Sequence, residues 1–411
     1  MTEQRSSWPA VLCWLTVLVE GYDLVALGAS SLALQDSDRL GMTASGLTLV
    51  ATLSLVGVAL GAAFLAPMAD VRGRRTVLVW SVASFSVFTL LLPLAPSVGV
   101  FAALRLLAGL GLGACMPTAL AAMSEFVPVQ RRARASTTTM TGYHCGAVLA
   151  SLLALAVGAT WEVLFVVGGV AGLVLAAVIR LKLPETATAE PASAGERVTV
   201  LDLVKPGRLR ITLAVWVSTF MGLLLVYGLN TWLPNLMREA GYEVSTSVTL
   251  LFVLNAGGIA GMLLAGWMAD TRGVSRVVQA WFAVGGVLLA LLVVRIESAV
   301  LLDVLIFLTG VFVFSAQVLV YAYVAHTHPT RIRGTALGIT SGVGRLGAIV
   351  GPLITGVFVS AGIARPWGFW FFALAAFLGL AAMLVAPRVG RVATGQPGQA
   401  VEPGREETQP V

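Results

Sequence analysis

The chain has 411 residues, of which 58% are hydrophobic and only 11% charged, with a mean hydropathy of +0.91. A soluble domain carries about 25% charged residues, so this composition excludes a water-facing globular fold and points to an integral membrane protein. The formal net charge is +6, but the charges sit in short loops between apolar runs, which argues for a lipid bilayer and against a nucleic-acid partner.

A membrane-spanning helix needs about 20 mostly apolar residues. In chain order twelve stretches qualify: 9–33, 45–68, 76–94, 98–123, 135–156, 161–180, 209–236, 247–268, 277–294, 300–325, 335–360 and 367–386. The first run carries acids and no small-residue cleavage site follows it, so no cleavable signal peptide is expected. Cys13, Cys115 and Cys145 fall inside apolar runs and read as small buried residues without a disulfide framework. The stretch 183–206 is rich in Pro, Ala, Thr, Glu and Arg, and 389–411 in Gly, Pro, Gln and Glu. The reading is an all-α integral membrane protein of twelve transmembrane helices. Its parts are an N-terminal six-helix bundle (1–182), a cytoplasmic linker (183–206), a C-terminal six-helix bundle (207–388) and a disordered cytoplasmic tail (389–411).

Basic residues set the orientation. With the N-terminus inside, the outer loops hold only Arg39, Arg238, Arg295 and Arg365. The inner segments hold Arg72, Arg74, Arg75, Arg131, Arg132, Arg134, Arg272, Arg276, Arg331, Arg333 and most of the rest. Both termini are therefore expected in the cytoplasm.

The two halves repeat. Gly57-x-x-x-Gly61 precedes Met68-Ala-Asp70-Val-Arg72-Gly73, and Gly257-x-x-x-Gly261 precedes Met268-Ala-Asp270-Thr-Arg272-Gly273. Gly109 and Pro128 are matched by Gly310 and Pro329, and Glu20-Gly-Tyr-Asp23 by Tyr227-Gly-Leu-Asn230. Such parallel six-span repeats make two pseudo-symmetric bundles with a cavity between them. Further Gly-x-x-x-Gly pairs at Gly142/Gly146, Gly338/Gly342 and Gly347/Gly351 permit close helix approach.

Charges present in one half only are harder to explain as scaffold. Arg105 is matched by Ile306, Asp23 by Asn230 and Glu20 by Tyr227. Glu20, Asp23, Arg105 and Arg345 all lie deep in spans, where an ionisable group points inward and pairs or works. The expectation is that all four face one central cavity. Asp23 then carries the coupled proton, with Glu20 and His144 next, and Arg105 or Arg345 holds a carboxylate in its planar fork. The alternative is static ion pairs, Glu20 with Arg105 or Asp23 with Arg345. Thr118, Tyr143, His144, Asn230, Asn255, Gln317, Tyr321 and Tyr323 are candidate neighbours of the ligand. For His144, substrate binding, proton carriage and a bond to another helix are all open readings. Gly61, Asp70, Arg72, Gly73, Arg74 and Arg75 read as a cytoplasmic conformational lock. Its echo at Asp270 and Arg272 is weaker, since Val274 and Ser275 replace Arg74 and Arg75.

The stretch Gly61–Arg75, its echo at Gly261–Arg276, and Arg105-Leu-Leu-Ala-Gly109-Leu-Gly111-Leu-Gly113 resemble the loop and fourth-span motifs of the major facilitator superfamily. More narrowly, the chain resembles the aromatic acid:proton symporters, the benzoate, 4-hydroxybenzoate and protocatechuate permeases. The matching stretches are Glu20-Gly-Tyr-Asp23-Leu, Gly111-Leu-Gly-Ala-Cys-Met-Pro117, Ser124-Glu125, Tyr227-Gly-Leu-Asn-Thr-Trp-Leu-Pro234 and Gly342-Val-Gly-Arg345-Leu-Gly-Ala-Ile-Val-Gly-Pro352. That family usually has Asp at the position of Glu20 and Asn at that of Thr118. The resemblance implies a proton-coupled secondary transporter, a symporter importing an aromatic carboxylate or similar organic acid by alternating access. It also implies roles for the first-span acids and the arginines. The rival is a drug or metabolite efflux antiporter of the same fold, against which the fifth span lacks the Gly-Pro pair expected of antiporters. No metal cluster, Ser-His pair or phosphate loop is visible, so the chain reads as no enzyme, with no cofactor or metal. The expected partners are a small organic anion and protons, for a monomer in a bacterial plasma (inner) membrane.

Overall fold

The computed structural model describes residues 8–37, 39–127, 132–185, 203, 205, 208–328 and 330–387; the side chains of 70, 132–134, 136 and 330–335 lie outside that description. Among the described residues twelve helices are long and apolar enough to cross a membrane. They are α1 Trp8–Ala29, α2 Ala44–Leu65, α3 Arg74–Leu94, α4 Val98–Phe126, α5 Thr137–Val157 and α6 Glu162–Lys182 in the first half. The second half has α7 Leu209–Glu239, α8 Val244–Arg272, α9 Val274–Leu291, α10 Ala299–Thr327, α11 Ala336–Ser360 and α12 Ala364–Val385.

Local chemistry sets the helix ends. Ser97 and Ser298 cap α4 and α10 at matching positions, each hydroxyl accepting a first-turn N–H at 3.4 Å. Gly73 and Gly273 stand at φ +89° and +87°, a conformation that favours glycine; Gly73 turns the short helix Met68–Arg72 beyond α2 into α3, and Gly273 turns α8 into α9. This is why α9 starts at Val274, ahead of the apolar run expected at 277–294. The first span is shorter than the expected 9–33. Ser30 bonds the carbonyls of Ala26 and Leu27, the helix ends at Ala29, and a short helix Ser31–Asp36 follows.

The repeat is visible in the packing. In the first bundle α1 packs on α5, α2 on α4, and α3 on α4 and α6; in the second α7 packs on α11, α8 on α10, and α9 on α10 and α12. Gly57 and Gly61 lie against the backbone carbonyls of Leu106 and Leu110 on α4. Gly257 and Gly261 lie against those of Phe307 and Val311 on α10. A Cβ at any of the four would run into backbone, so these helix pairs sit as close as helices can. One asymmetry stands out. Gly61–Leu65 is a π-turn, with Ala66 N–H reaching the Gly61 carbonyl at 3.1 Å, whereas α8 stays α-helical to Arg272.

The bundles meet through α2 with α11, α5 with α8, and α1 with α7. At the end carrying residues 31–45 the seam is closed. Asn235 donates to Ser31 at 2.8 Å, Gln35 donates to Asn235 at 2.6 Å, Arg238 pairs with Asp36 at 2.9 Å, and Ser45 meets Ser360 at 3.3 Å. At the opposite end Gly338 and Gly342 of α11 face open space. On the same side, a cavity of about 630 Å³ is lined by first-bundle residues, among them Ala10, Val11, Trp14, Met123 and Thr138. Ser45→Cys with Ser360→Cys should form a disulfide that reports the closed seam. The exposed Asp36–Arg238 pair contributes about 0.2–1 kcal/mol. Asp36→Asn should therefore slow that cross-link by no more than about fivefold, read by mobility shift.

Candidate functional site

Glu20 and Asp23 share α1, but their carboxylates go to different partners. Three residues of helix turn leave a residual angle of about 60°, enough to separate them. Asp23 Oδ1 pairs with Arg105 Nη1 at 2.5 Å, and both side chains are sealed from solvent. Thr89 on α3 donates to Asp23 Oδ2 at 2.5 Å. Arg105 Nη2 also reaches the Asp23 carbonyl at 3.5 Å. Desolvated charges persist where partner and hydrogen bonds answer them, and here both come from α1, α3 and α4 of one bundle.

Glu20 is equally buried, but no side chain hydrogen-bonds either of its carboxyl oxygens, and the Met116 backbone of α4 lies beside it. Its nearby cation is Arg345, which comes from α11 of the other bundle. Arg345 Nη1 donates to the Tyr227 hydroxyl at 3.1 Å. Tyr227 meets Tyr143 edge to face at 6.4 Å between centroids. Gly21, beside Glu20, lies against the Tyr143 backbone and brings α5 to this point. The four charges therefore do not face one cavity as expected. They divide into an ion pair, Asp23–Arg105, inside the first bundle, in which only Arg105 Nε lacks a partner, and an acid without a side-chain partner, Glu20, near Arg345 across the seam. The alternative pairing, Glu20 with Arg105 and Asp23 with Arg345, is reversed.

His144 Nδ1 lies 3.0 Å from Asn255 Oδ1 on α8, and its ring stacks on Phe314 at 4.9 Å. Asn255 in turn donates to Asn230 Oδ1 at 2.9 Å. Of the readings open for His144, the structure gives it a bond to a neighbouring helix, one that joins the two bundles. The Thr118 and Tyr143 hydroxyls and both amide atoms of Gln317 are buried without a partner. Tyr321 lies within Coulombic range of Arg345. Tyr323, expected with this group, bonds the Pro387 carbonyl at the far end of α12. Sequence reasoning missed Thr89, one of several hydroxyls in its span with Ser81, Ser84 and Ser86. It named Tyr227 as the repeat mate of Glu20 and within a family-matching stretch, without a role at the site.

At the open end Arg74 Nε pairs with Glu125 at 2.8 Å, and Arg75 Nε with Glu185 at 3.4 Å. Glu185 also accepts from the Arg75 N–H at 3.0 Å and from Thr76 at 2.9 Å. The first pair stays within the first bundle, and the second ties it to the start of the linker. The Asp70 side chain lies outside the described residues. Arg72, Asp270 and Arg272 are exposed, with no ion-pair partner among the described residues.

The profile of the Major Facilitator Superfamily matches residues 13–352. A protein named "Gentisate transporter", from Corynebacterium glutamicum, is 32% identical over 92% of this chain and 86% of its own length. One named "Gallate transporter", from Pseudomonas putida, is 33% identical over 91% and 90%. Among solved structures, an inward-facing, occupied bacterial homolog of the human lysosomal transporter Spinster superimposes with a TM-score of 0.76 at 15% identity, covering 94% of this chain and 97% of that one.

Proposed function

Because the chain belongs to the major facilitator superfamily, we propose that it is a proton-coupled symporter that imports an aromatic carboxylate by alternating access. The names of its relatives support the cargo class. The observation that carries the coupling is the buried Glu20 carboxyl, without a side-chain hydrogen-bond partner and near Arg345 of the opposite bundle.

Arg345 presents the fork for the cargo's carboxylate, and Tyr227 holds that guanidinium in place. We assign the coupled proton to Glu20 rather than Asp23, since Asp23 is already held by Arg105 and Thr89. An arriving carboxylate neutralises Arg345 and removes the cation that favours ionised Glu20. Glu20 then takes a proton, and the near-neutral centre passes between the two states more cheaply than a charged one. Asp23–Arg105 anchors α1 within its bundle, and His144–Asn255 links α5 to α8 beside the site.

The distribution of Lys and Arg supports placing both termini in the cytoplasm of a bacterium, in its inner membrane. With that orientation the closed seam faces outward and the cavity inward. We take 183–206 as the inner linker between the halves. One chain supplies both halves of the site, which supports a monomer.

Uptake of labelled gentisate, gallate and benzoate into vesicles tests the reading. Accumulation should require an acidic exterior, and accumulation indifferent to the pH gradient would refute proton coupling. A charge-assisted bond contributes about 1.5–3 kcal/mol, so Arg345→Ala should weaken binding by about 10- to 100-fold, with Arg345→Lys in between.

A further inference from the structure

Gln317 differs from the other buried polar groups of α10. Ser315 bonds the Val311 carbonyl and accepts from Trp281, and Thr309 bonds the Leu305 carbonyl at 2.8 Å. Gln317 is 4% exposed, yet neither its Oε1 nor its Nε2 has a partner. An amide buried with both ends unbonded is costly unless something comes to bond it. Its place is made by Gly222 on α7, where a Cβ would run into Gln317 Oε1. One turn along the same face of α10 is Tyr321, which lies within Coulombic range of Arg345. The two side chains thus leave the helix about 6 Å apart along its axis. From the first bundle, the Tyr143 hydroxyl is also buried and unbonded near Arg345.

We propose that Gln317 reads a hydroxyl group on the ring of the cargo, so that the protein selects hydroxylated aromatic carboxylates over unsubstituted ones. The proposal rests on Arg345 as the carboxylate anchor. With the carboxylate held there, the far side of the ring is presented to the amide. A phenolic hydroxyl both donates and accepts, and Gln317 offers an acceptor and a donor in one side chain. An unsubstituted ring leaves both amide atoms buried and unbonded, and discrimination arises from that loss.

The test compares 4-hydroxybenzoate, gentisate and benzoate for wild type and Gln317→Met. Met keeps the length of the side chain and removes both polar atoms. The wild type should favour at least one hydroxylated acid by about tenfold in half-saturation concentration, and Gln317→Met should erase that ratio. A variant that weakens all three acids by the same factor, or none, overturns the proposal and leaves the carboxylate reading standing. Should the variant not reach the membrane, ligand-induced thermal stabilisation of purified wild type decides. Equal stabilisation by benzoate and by both hydroxylated acids overturns the proposal. Failure of wild type to bind any of the three refutes the carboxylate reading, and the proposal falls with it.

Discussion

Glu20→Gln protein still exchanges aromatic acid across the membrane but no longer concentrates it. The substitution keeps the size of the side chain and removes its titration. Every 1.4 kcal/mol is a factor of about ten, so a pH gradient of one unit supports about tenfold accumulation for each coupled proton. In the variant that factor should vanish, and internal and external concentrations should level. Exchange of labelled for unlabelled acid should persist, because Arg345 is untouched. Thermal stability should hold or rise, since the change removes a fully buried carboxyl that no side chain hydrogen-bonds. Retained accumulation under a pH gradient in Glu20→Gln vesicles would move the proton elsewhere, with Asp23 next.

Asp23→Asn and Arg105→Ala should behave in the opposite way. Each leaves a buried charge, or its hydrogen-bonding partner, without the 2.5 Å contact that now satisfies it. Removing one member of a buried pair costs about 3–5 kcal/mol, a large part of the total stability of a domain. Both variants should therefore melt lower in detergent and accumulate less in the membrane. Replacing both together, Asp23→Asn with Arg105→Met, should recover much of the loss, because no lone charge remains. Singles as stable as wild type, or a double variant no better than the worse single, would remove Asp23–Arg105 from its anchoring role.

The contrast between these acids marks what the sequence could and could not display. The spans were legible because bilayer thickness imposes a length and an apolar composition that nothing else in the chain imitates. The glycines were legible for a related reason: Gly57 and Gly61 recur at Gly257 and Gly261, and both pairs meet backbone carbonyls. That Glu20, Asp23 and Arg105 are buried and Arg345 half-buried could be argued from depth alone. How they sort could not, because about 60° of helix rotation decides which neighbour each carboxylate meets. Spacing along one strip of sequence does not fix that rotation; the bonds from Asp23 to Thr89 on α3 and from the Tyr22 hydroxyl to the Leu164 carbonyl on α6 help to. His144 was ambiguous for a similar reason. Its partner, Asn255, is 111 residues away, in the other half.

The pair between α1 and α4 also imposes an order on biosynthesis. Asp23 and Arg105 are 82 residues apart. A ribosome adding about 5–20 residues per second takes about 4–16 s to cover that distance. For that interval α1 carries two acids with no arginine to meet Asp23, and each acid costs about 2.5–3.5 kcal/mol at the centre of an inserting helix. A nascent chain released after α3 should therefore hold α1 poorly in the bilayer. One extended through α4 should seat it, and Arg105→Ala should cancel that rescue. The first helix to leave the ribosome is secured only when the fourth arrives, so insertion of the N-terminal bundle is a joint event of several helices rather than a procession of single ones.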